Sequence, residues 1–255
     1  MCCKMGKRVR VRFDDDLKSR DTVDDVTIFI KTYNRIPACN KLVQSIRNLY
    51  PEQPIIVIND YCKTVWEDDN MKTVLFDEDL GASRGRNEAL KLITTKYAIQ
   101  LDDDFYFSSK TNIQLWKDLL VKNDLDILGA KLNALNLVGY FVDNGKGKYS
   151  LKVGSVDSGK DVIPFDCMGQ CLMLNVEAVL DAGGWDEDLN MCEHVPFFWK
   201  MYKAGVKTGF TPRVELGHLK NKKRFRNYYY KRQAAQRECF NLLHTKYPDL
   251  YVWEA

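Results

Sequence analysis

Short apolar runs alternate with amphipathic helical patterns through the first hundred residues. Val26, Ile28 and Ile30 form a run that ends at Lys31 and Thr32, and its density predicts a strand buried in a sheet. Pro37 then opens a helical pattern carried by Leu42, Val43, Ile46 and Leu49, closed by Pro51 and Pro54. A second apolar run over 55–58 ends in Asn59 and Asp60, and a third over 73–76 ends in Asp77, Glu78 and Asp79. After a loop at Gly81, a helix is predicted over 83–93 with Ala89, Leu90 and Leu92 on its apolar side. A strand over 97–101 follows. Each strand delivers polar residues at its carboxyl end. Strands alternating with helices at this spacing imply a parallel sheet with right-handed crossovers, which places ligands at those carboxyl ends.

The second half is less regular. The pattern predicts a helix over 113–121, a strand over 126–130, a glycine-bearing hairpin over 137–153, a strand over 171–174 and helices over 176–182 and 197–204. The stretch 225–247 has helical composition, with Tyr228, Phe240, Leu242 and Leu243 as packing residues. Residues 1–25 alternate basic positions with acidic clusters and read as a tail or edge element. No internal repeat or low-complexity linker appears, so one domain over 26–218 is expected, with 219–255 as a basic helical segment packing on it.

With 45% apolar and 12% aromatic residues in 255 positions, the chain can bury a sizeable core. A net charge of +3 gives no global field toward nucleic acid or anionic lipid. The basic run from Lys220 to Arg237, interleaved with Tyr228, Tyr229 and Tyr230, is read as a solvated helix, not as a nucleic-acid surface. The eight cysteines lack paired CxxC motifs and read as buried thiols. The absence of a signal-type stretch and of any run of about 18 apolar residues gives the expectation of a cytoplasmic chain with no membrane span.

Asp102, Asp103 and Asp104 stand between the 97–101 run and the aromatic residues Phe105, Tyr106 and Phe107. Like charges about 4 Å apart repel by roughly 4 kcal/mol at an effective dielectric near 20, so folding alone gains nothing by crowding them. A bound divalent cation would relieve that repulsion. Neither a GxGxxG fingerprint nor a P-loop is present, which argues against dehydrogenases and kinases.

Several segments in order then carry a resemblance: Thr32-Tyr-Asn-Arg35, Asn59-Asp60, Asp79-Leu-Gly-Ala-Ser-Arg-Gly-Arg86-Asn87 and Leu101-Asp-Asp-Asp104. Together they resemble a family 2-type glycosyltransferase with the GT-A fold. More narrowly, Lys31-Thr-Tyr-Asn-Arg35, Gly85-Arg-Asn87 and Asp102-Asp-Asp-Phe105 are similar to animal beta-1,4-N-acetylgalactosaminyltransferases. The resemblance implies an α/β fold of GT-A type, Rossmann-like, with a mostly parallel central sheet flanked by helices. It also implies a UDP-sugar donor, a glycan acceptor, Mn²⁺ or Mg²⁺, and a Golgi lumen location if the chain is an excised catalytic domain.

By the same resemblance, Asp102, Asp104 and His218 are the metal ligands, and Thr32, Tyr33, Arg35, Asp60, Arg86, Asp102 and Asp103 contact the nucleotide. Arg84 and Arg86 lie at a helix start suited to a diphosphate, with an ion pair to Asp79 or the acidic triplet as Arg86's other role. The base comes from Glu193 or His194, which stands where many relatives carry an aspartate. Helix-dipole stabilisation is the plain alternative for Glu193. Asp186 is a candidate for acceptor hydroxyls, and Trp185 for sugar stacking or the core. Competing functions are a catalytically silent nucleotide- or carbohydrate-binding module and a sugar nucleotidyltransferase.

Overall fold

A computed structural model of the chain describes residues 18–60, 63–133, 137–157, 159–169, 171–189, 192–219 and 238–251. The first half is β1 (Val26–Tyr33), α1 (Ile36–Leu49), β2 (Ile55–Asp60), β3 (Met71–Phe76), α2 (Gly81–Leu92), β4 (Tyr97–Asp102), β5 (Phe105–Tyr106) and α3 (Ile113–Lys122). The second half is β6 (Ile127–Leu132), β7 (Val138–Asp143), β8 (Tyr149–Val153), β9 (Cys167–Met168), β10 (Leu172–Asn175), α4 (Val176–Asp181), α5 (His194–Lys203), β11 (Thr208–His218) and β12 (Leu250–Tyr251). A further helix covers 238–246.

Eight strands form the central sheet in the order β3-β2-β1-β4-β10-β6-β11-β5. The first four are parallel, as are β6 and β11, whereas β10 runs against both of its neighbours and β5 against β11. β1 is buried along nearly its whole length. Ile28 and Ile30 join the core layer under α1 and α3, while Phe29 joins the layer under α2, α4 and α5. The chain leaves β1 toward β2 and β3 on one side and later returns to β4 on the other, so a crevice opens at the carboxyl ends of β1 and β4. Register sets Lys31 beside Asp102 and Tyr33 beside Asp60.

A smaller sheet, β12-β8-β7-β9, covers α5, with Phe141 and Tyr149 packed on Trp199 at centroid distances of 5.0 and 4.8 Å. The helix 238–246 lays Leu243 and Cys239 on Leu189.

Several boundaries differ from the sequence expectation for physical reasons. β3 starts at Met71, and its partly buried edge position leaves only a weak apolar signal. α5 starts at His194, because a proline in the first helical turn, here Pro196, breaks no internal hydrogen bond. Packing begins before Val26: Val23 is buried, and the Arg20 guanidinium donates to the carbonyls of Thr111 and Ser109 at 2.6 and 2.9 Å. Leu242 is exposed, not packed, and Phe240 is half-buried. Tyr228 and the basic run 220–237 lie outside the described residues.

Candidate active site

The crevice is floored by residues at the ends of β1, β2 and β4. Asn34 adopts a φ of 49°, a left-handed turn that asparagine tolerates, and Arg35 follows it at the start of α1. The Arg35 guanidinium forks onto two aspartates, 2.9 Å from Asp103 Oδ1 and 2.6 Å from Asp104 Oδ2. Thr32 Oγ1 donates to Asp103 Oδ2 at 2.7 Å. Asp103 is buried, and burial pushes its pKa up to about 7; Arg35 and Thr32 oppose the shift, while Asp104 and Asp102 add to it. Thr32, Arg35 and Asp103 are therefore brought together, each holding another.

Asp60 has no exposed surface, is paired with Lys31 Nζ at 2.5 Å and accepts from Leu80 N at 3.0 Å. Burial raises its pKa and the lysine charge opposes that rise. Among the described residues its second oxygen, Oδ1, is buried without a hydrogen-bond partner. The Lys31 stem crosses α2 at Gly85, where a Cβ would lie 2.3 Å from Lys31 Cε, so the glycine is required for this approach. Sequence reasoning missed Lys31; the available signal was a basic residue at a buried strand end with a glycine in the facing helix. Tyr33 is half-buried at the same strand end.

Arg86, buried inside α2, joins two walls of the crevice. Its Nη2 lies 2.8 Å from Asp102 Oδ1 and its Nη1 2.7 Å from Glu193 Oε1, and the guanidinium sits 5.7 Å from the Trp185 ring centroid. Burial works against its charge, but the two carboxylates outweigh burial and make the proton held more tightly. Glu193 precedes α5 without capping it by a side-chain hydrogen bond. His194, the first residue of α5, has both ring nitrogens covered. Burial pushes its pKa down to about 4, with Arg86 adding to the fall and Glu193 and Asp102 opposing it. The imidazole is neutral at physiological pH.

β5 explains how a residue 114 positions downstream of the acidic triplet's last member reaches it (218 − 104 = 114). Gly217 pairs with Tyr106 and His218 with Phe105, and Leu219 N donates to the Asp104 carbonyl at 2.7 Å. His218 Nε2 then stands 3.5 Å from Asp104 Oδ2, its ring edge-on to Phe105. Asp104 and His218 are thus together, whereas Asp102 is tied to Arg86 and Gln100. Among the described residues no group of three or more His, Cys, Asp or Glu side chains converges closely enough to hold a metal ion unaided.

Other candidates lie elsewhere. Arg84 is exposed and pairs with Glu78 at 3.1 Å. Trp185 is a core residue stacked on Phe197 at 4.2 Å, and Asp186 is held by Lys246 at 2.7 Å and by the Tyr247 hydroxyl at 2.8 Å. Neither Trp185 nor Asp186 is free to meet a sugar in this arrangement.

The crevice at the sheet's switch point and the layering around it are those of the GT-A fold. Residues 27–134 match the family model described as Glycosyl transferase family 2. The chain is similar to beta-1,4 N-acetylgalactosaminyltransferase 2 of Mus musculus, 39% identical over 108 residues, which is 42% of this chain and 21% of the relative. Against beta-1,4 N-acetylgalactosaminyltransferase 1 of the same species it is 33% identical over 112 residues, 44% and 21% of the two chains. The pre-mycofactocin glycosyltransferase of Mycobacterium tuberculosis (strain H37Rv) is 25% identical over 209 residues, 76% and 42%. The match thus spans about a fifth of the length of the galactosaminyltransferase relatives. Among solved structures, GalNAc-T7 with UDP, GalNAc and Mn²⁺ superposes with a TM-score of 0.60 at 14% identity, covering 80% of this chain and 44% of that one. Staphylococcus aureus TarS 1–349 in complex with UDP-GlcNAc gives 0.58 at 16%, covering 77% and 59%. Among the described residues no helix is long and apolar enough to cross a membrane.

Proposed function

We propose that this domain transfers a sugar, N-acetylhexosamine in the first instance, from a UDP-sugar to a glycan hydroxyl, with a divalent cation and inversion at the anomeric carbon. The observation that carries the reading is the Arg86 bridge. One buried guanidinium fixes Asp102 of the acidic triplet and Glu193 of the candidate base pair in a single crevice. The named relatives, being glycosyltransferases, add support, as do solved structures of similar fold that hold UDP or UDP-GlcNAc.

Asp104 and His218 would hold Mn²⁺ or Mg²⁺, since a carboxylate and an imidazole with diphosphate oxygens and water completing the shell suit either ion. Such a cation would neutralise charge gathering on the departing diphosphate. Arg35, already beside Asp104, supplies a second positive group at that place. Thr32 and Asp103 hold the loop that carries Arg35, while Asp60, with its spare oxygen, and Tyr33 meet the uridine. Glu193 removes the acceptor proton; its carboxylate keeps some exposed surface, whereas both ring nitrogens of His194 are covered. Arg86 keeps Glu193 aimed.

A panel of UDP-GalNAc, UDP-GlcNAc, UDP-Gal and UDP-Glc with Mn²⁺ and oligosaccharide acceptors, reading released UDP, tests this directly. Turnover is expected with an N-acetylhexosamine donor and is lost in Asp104→Ala. Undiminished turnover in EDTA refutes the metal assignment, and NMR of the product anomer decides inversion. One observation favours a second reading, a silent binding module: Glu193 is committed to an ion pair and His194 is a poor base. UDP binding by calorimetry without transfer across the panel selects it.

A further inference from the structure

We propose that the cavity between β7, the carboxyl end of α5 and the start of β11 is a carbohydrate-binding site separate from the crevice, taking one neutral pyranose ring of a glycan. The cavity measures about 380 Å³ and is lined by Tyr140, Phe165, Asp166, Tyr202, Lys207 and Thr208 among others. Along α5, Tyr202 is eight residues from His194, about 12 Å of helix rise. The cavity therefore lies beyond the reach of the reacting groups.

Its chemistry narrows the ligand. Tyr140 and Tyr202 are each 39% exposed, an unusual surface position for two large rings on one depression. Tyr140 lies tilted against Phe165 at 4.9 Å, and Tyr202 is held by Trp199, stacked at 5.5 Å, and by Phe141 at 5.4 Å. The part of each ring that stays exposed offers an apolar ligand surface a place to pack. Neither phenol hydroxyl has a hydrogen-bond partner among the described residues. Asp166 accepts from Phe141 N through Oδ2 at 2.8 Å, which fixes the carboxylate and leaves Oδ1 as an acceptor for a ligand hydroxyl.

The charge balance favours a neutral ligand over a phosphate or nucleotide. Lys207, the basic residue of the lining, is committed to Asp124 outside the cavity, and the remaining fixed charge is the Asp166 carboxylate. Ring faces, phenol hydroxyls and a lone carboxylate acceptor suit a neutral polyol with one apolar face. A pyranose is that kind of molecule, with C–H groups on one face and hydroxyls at its rim. Binding at a remote place adds affinity for a long glycan without touching the reacting bond. The site does not depend on the transfer reading.

Isothermal titration with maltotriose, lactose and tri-N-acetylchitotriose, on the full chain, tests it. At least one is expected to bind in the millimolar range. Tyr140→Ala and Tyr202→Ala should each weaken that affinity tenfold or more. Asp166→Asn, which keeps an oxygen for Phe141 N and so preserves the loop, should weaken it several-fold. Asp104→Ala and Glu193→Gln should leave it unchanged. No binding by any of the three sugars overturns the proposal, as does affinity lost in Glu193→Gln and kept in the tyrosine variants. Binding of inorganic phosphate at this cavity in their place overturns it too.

Discussion

The Arg86 guanidinium neutralises two carboxylates at once, and Glu193 is 107 residues away from it in sequence. Glycine, arginine and asparagine in series pointed to Arg86 as a functional residue, but which acids it meets depends on packing that no local pattern encodes. Removing one member of a buried ion network leaves its partners charged and unpaired, at a cost of about 3–5 kcal/mol. Arg86→Met is therefore expected to lower stability by that amount in urea unfolding, and adding Glu193→Gln should recover part of the loss. A second residue-scale prediction concerns His194, whose folded pKa of about 4 lies below the ordinary 6.5. The unfolded chain takes up a proton below about pH 6.5 that the folded chain refuses until pH 4. Its contribution is thus full above 6.5 and lost as pH falls through 4. His194→Phe should gain on the wild type by roughly 3 kcal/mol between pH 7 and pH 4, given about 1.4 kcal/mol for each pKa unit. Subtracting one urea curve from the other cancels the opposite slope that Asp103 contributes, because its raised pKa makes the folded chain bind the extra proton between pH 3.8 and about 7. A difference that stays flat across that range removes the buried neutral imidazole from the account.

At the level of elements, the strands and helices of the first half were legible because each buries a long periodic stretch. β1, α1, β2 and β4 could be drawn from apolar spacing alone, with ends within a few residues of those observed. β5 could not. It is two residues long, and its partner Gly217 is brought to it only at the end of β11, after that strand has run alongside β6. β10 was expected as a strand over 171–174, but its antiparallel direction depends on where the chain returns after the β7–β8 hairpin. The β5–β11 pairing nevertheless positions His218 at Asp104, and Gly217 is its tightest point. A Cβ there would lie 1.9 Å from Tyr106 Cζ, so the Tyr106 ring must be displaced or the strands must part. Gly217→Ala is expected to weaken Mn²⁺ affinity in the presence of UDP at least tenfold by calorimetry, while circular dichroism keeps the signature of the sheet. Adding Tyr106→Ala, which clears the space, should restore most of the affinity. If the double variant is no better than the single one, the strand pairing is not what delivers the imidazole.

For the molecule as a whole, the alternation of strands and helices fixed a parallel sheet and its switch point, and motif order supplied the glycosyltransferase likeness. The smaller sheet over α5, the cavity beside it and the docking of helix 238–246 on Leu189 arise from contacts between distant segments with no short pattern of their own. In the crevice Asp103 and Asp60 are buried at a cost that charge partners only partly offset. A nucleotide that binds the folded chain alone stabilises it by RT ln(1 + [L]/Kd), about 2.7 kcal/mol at a hundred times Kd. For 150–250 residues each kcal/mol moves Tm by about 2–4 °C, so saturating UDP with Mn²⁺ should raise Tm by about 5–11 °C. Without the cation, the diphosphate meets Asp104 and Asp102 as like charges, and the rise should fall below half. Asp104→Ala and His218→Ala should abolish the Mn²⁺-dependent part and keep the remainder, since Asp60 and Tyr33 are not among the residues that would hold the cation. An equal UDP shift with and without Mn²⁺ would mean that the acidic triplet serves the nucleotide without a metal. In that case Arg35 and Arg86 would be left as the groups that balance the diphosphate charge.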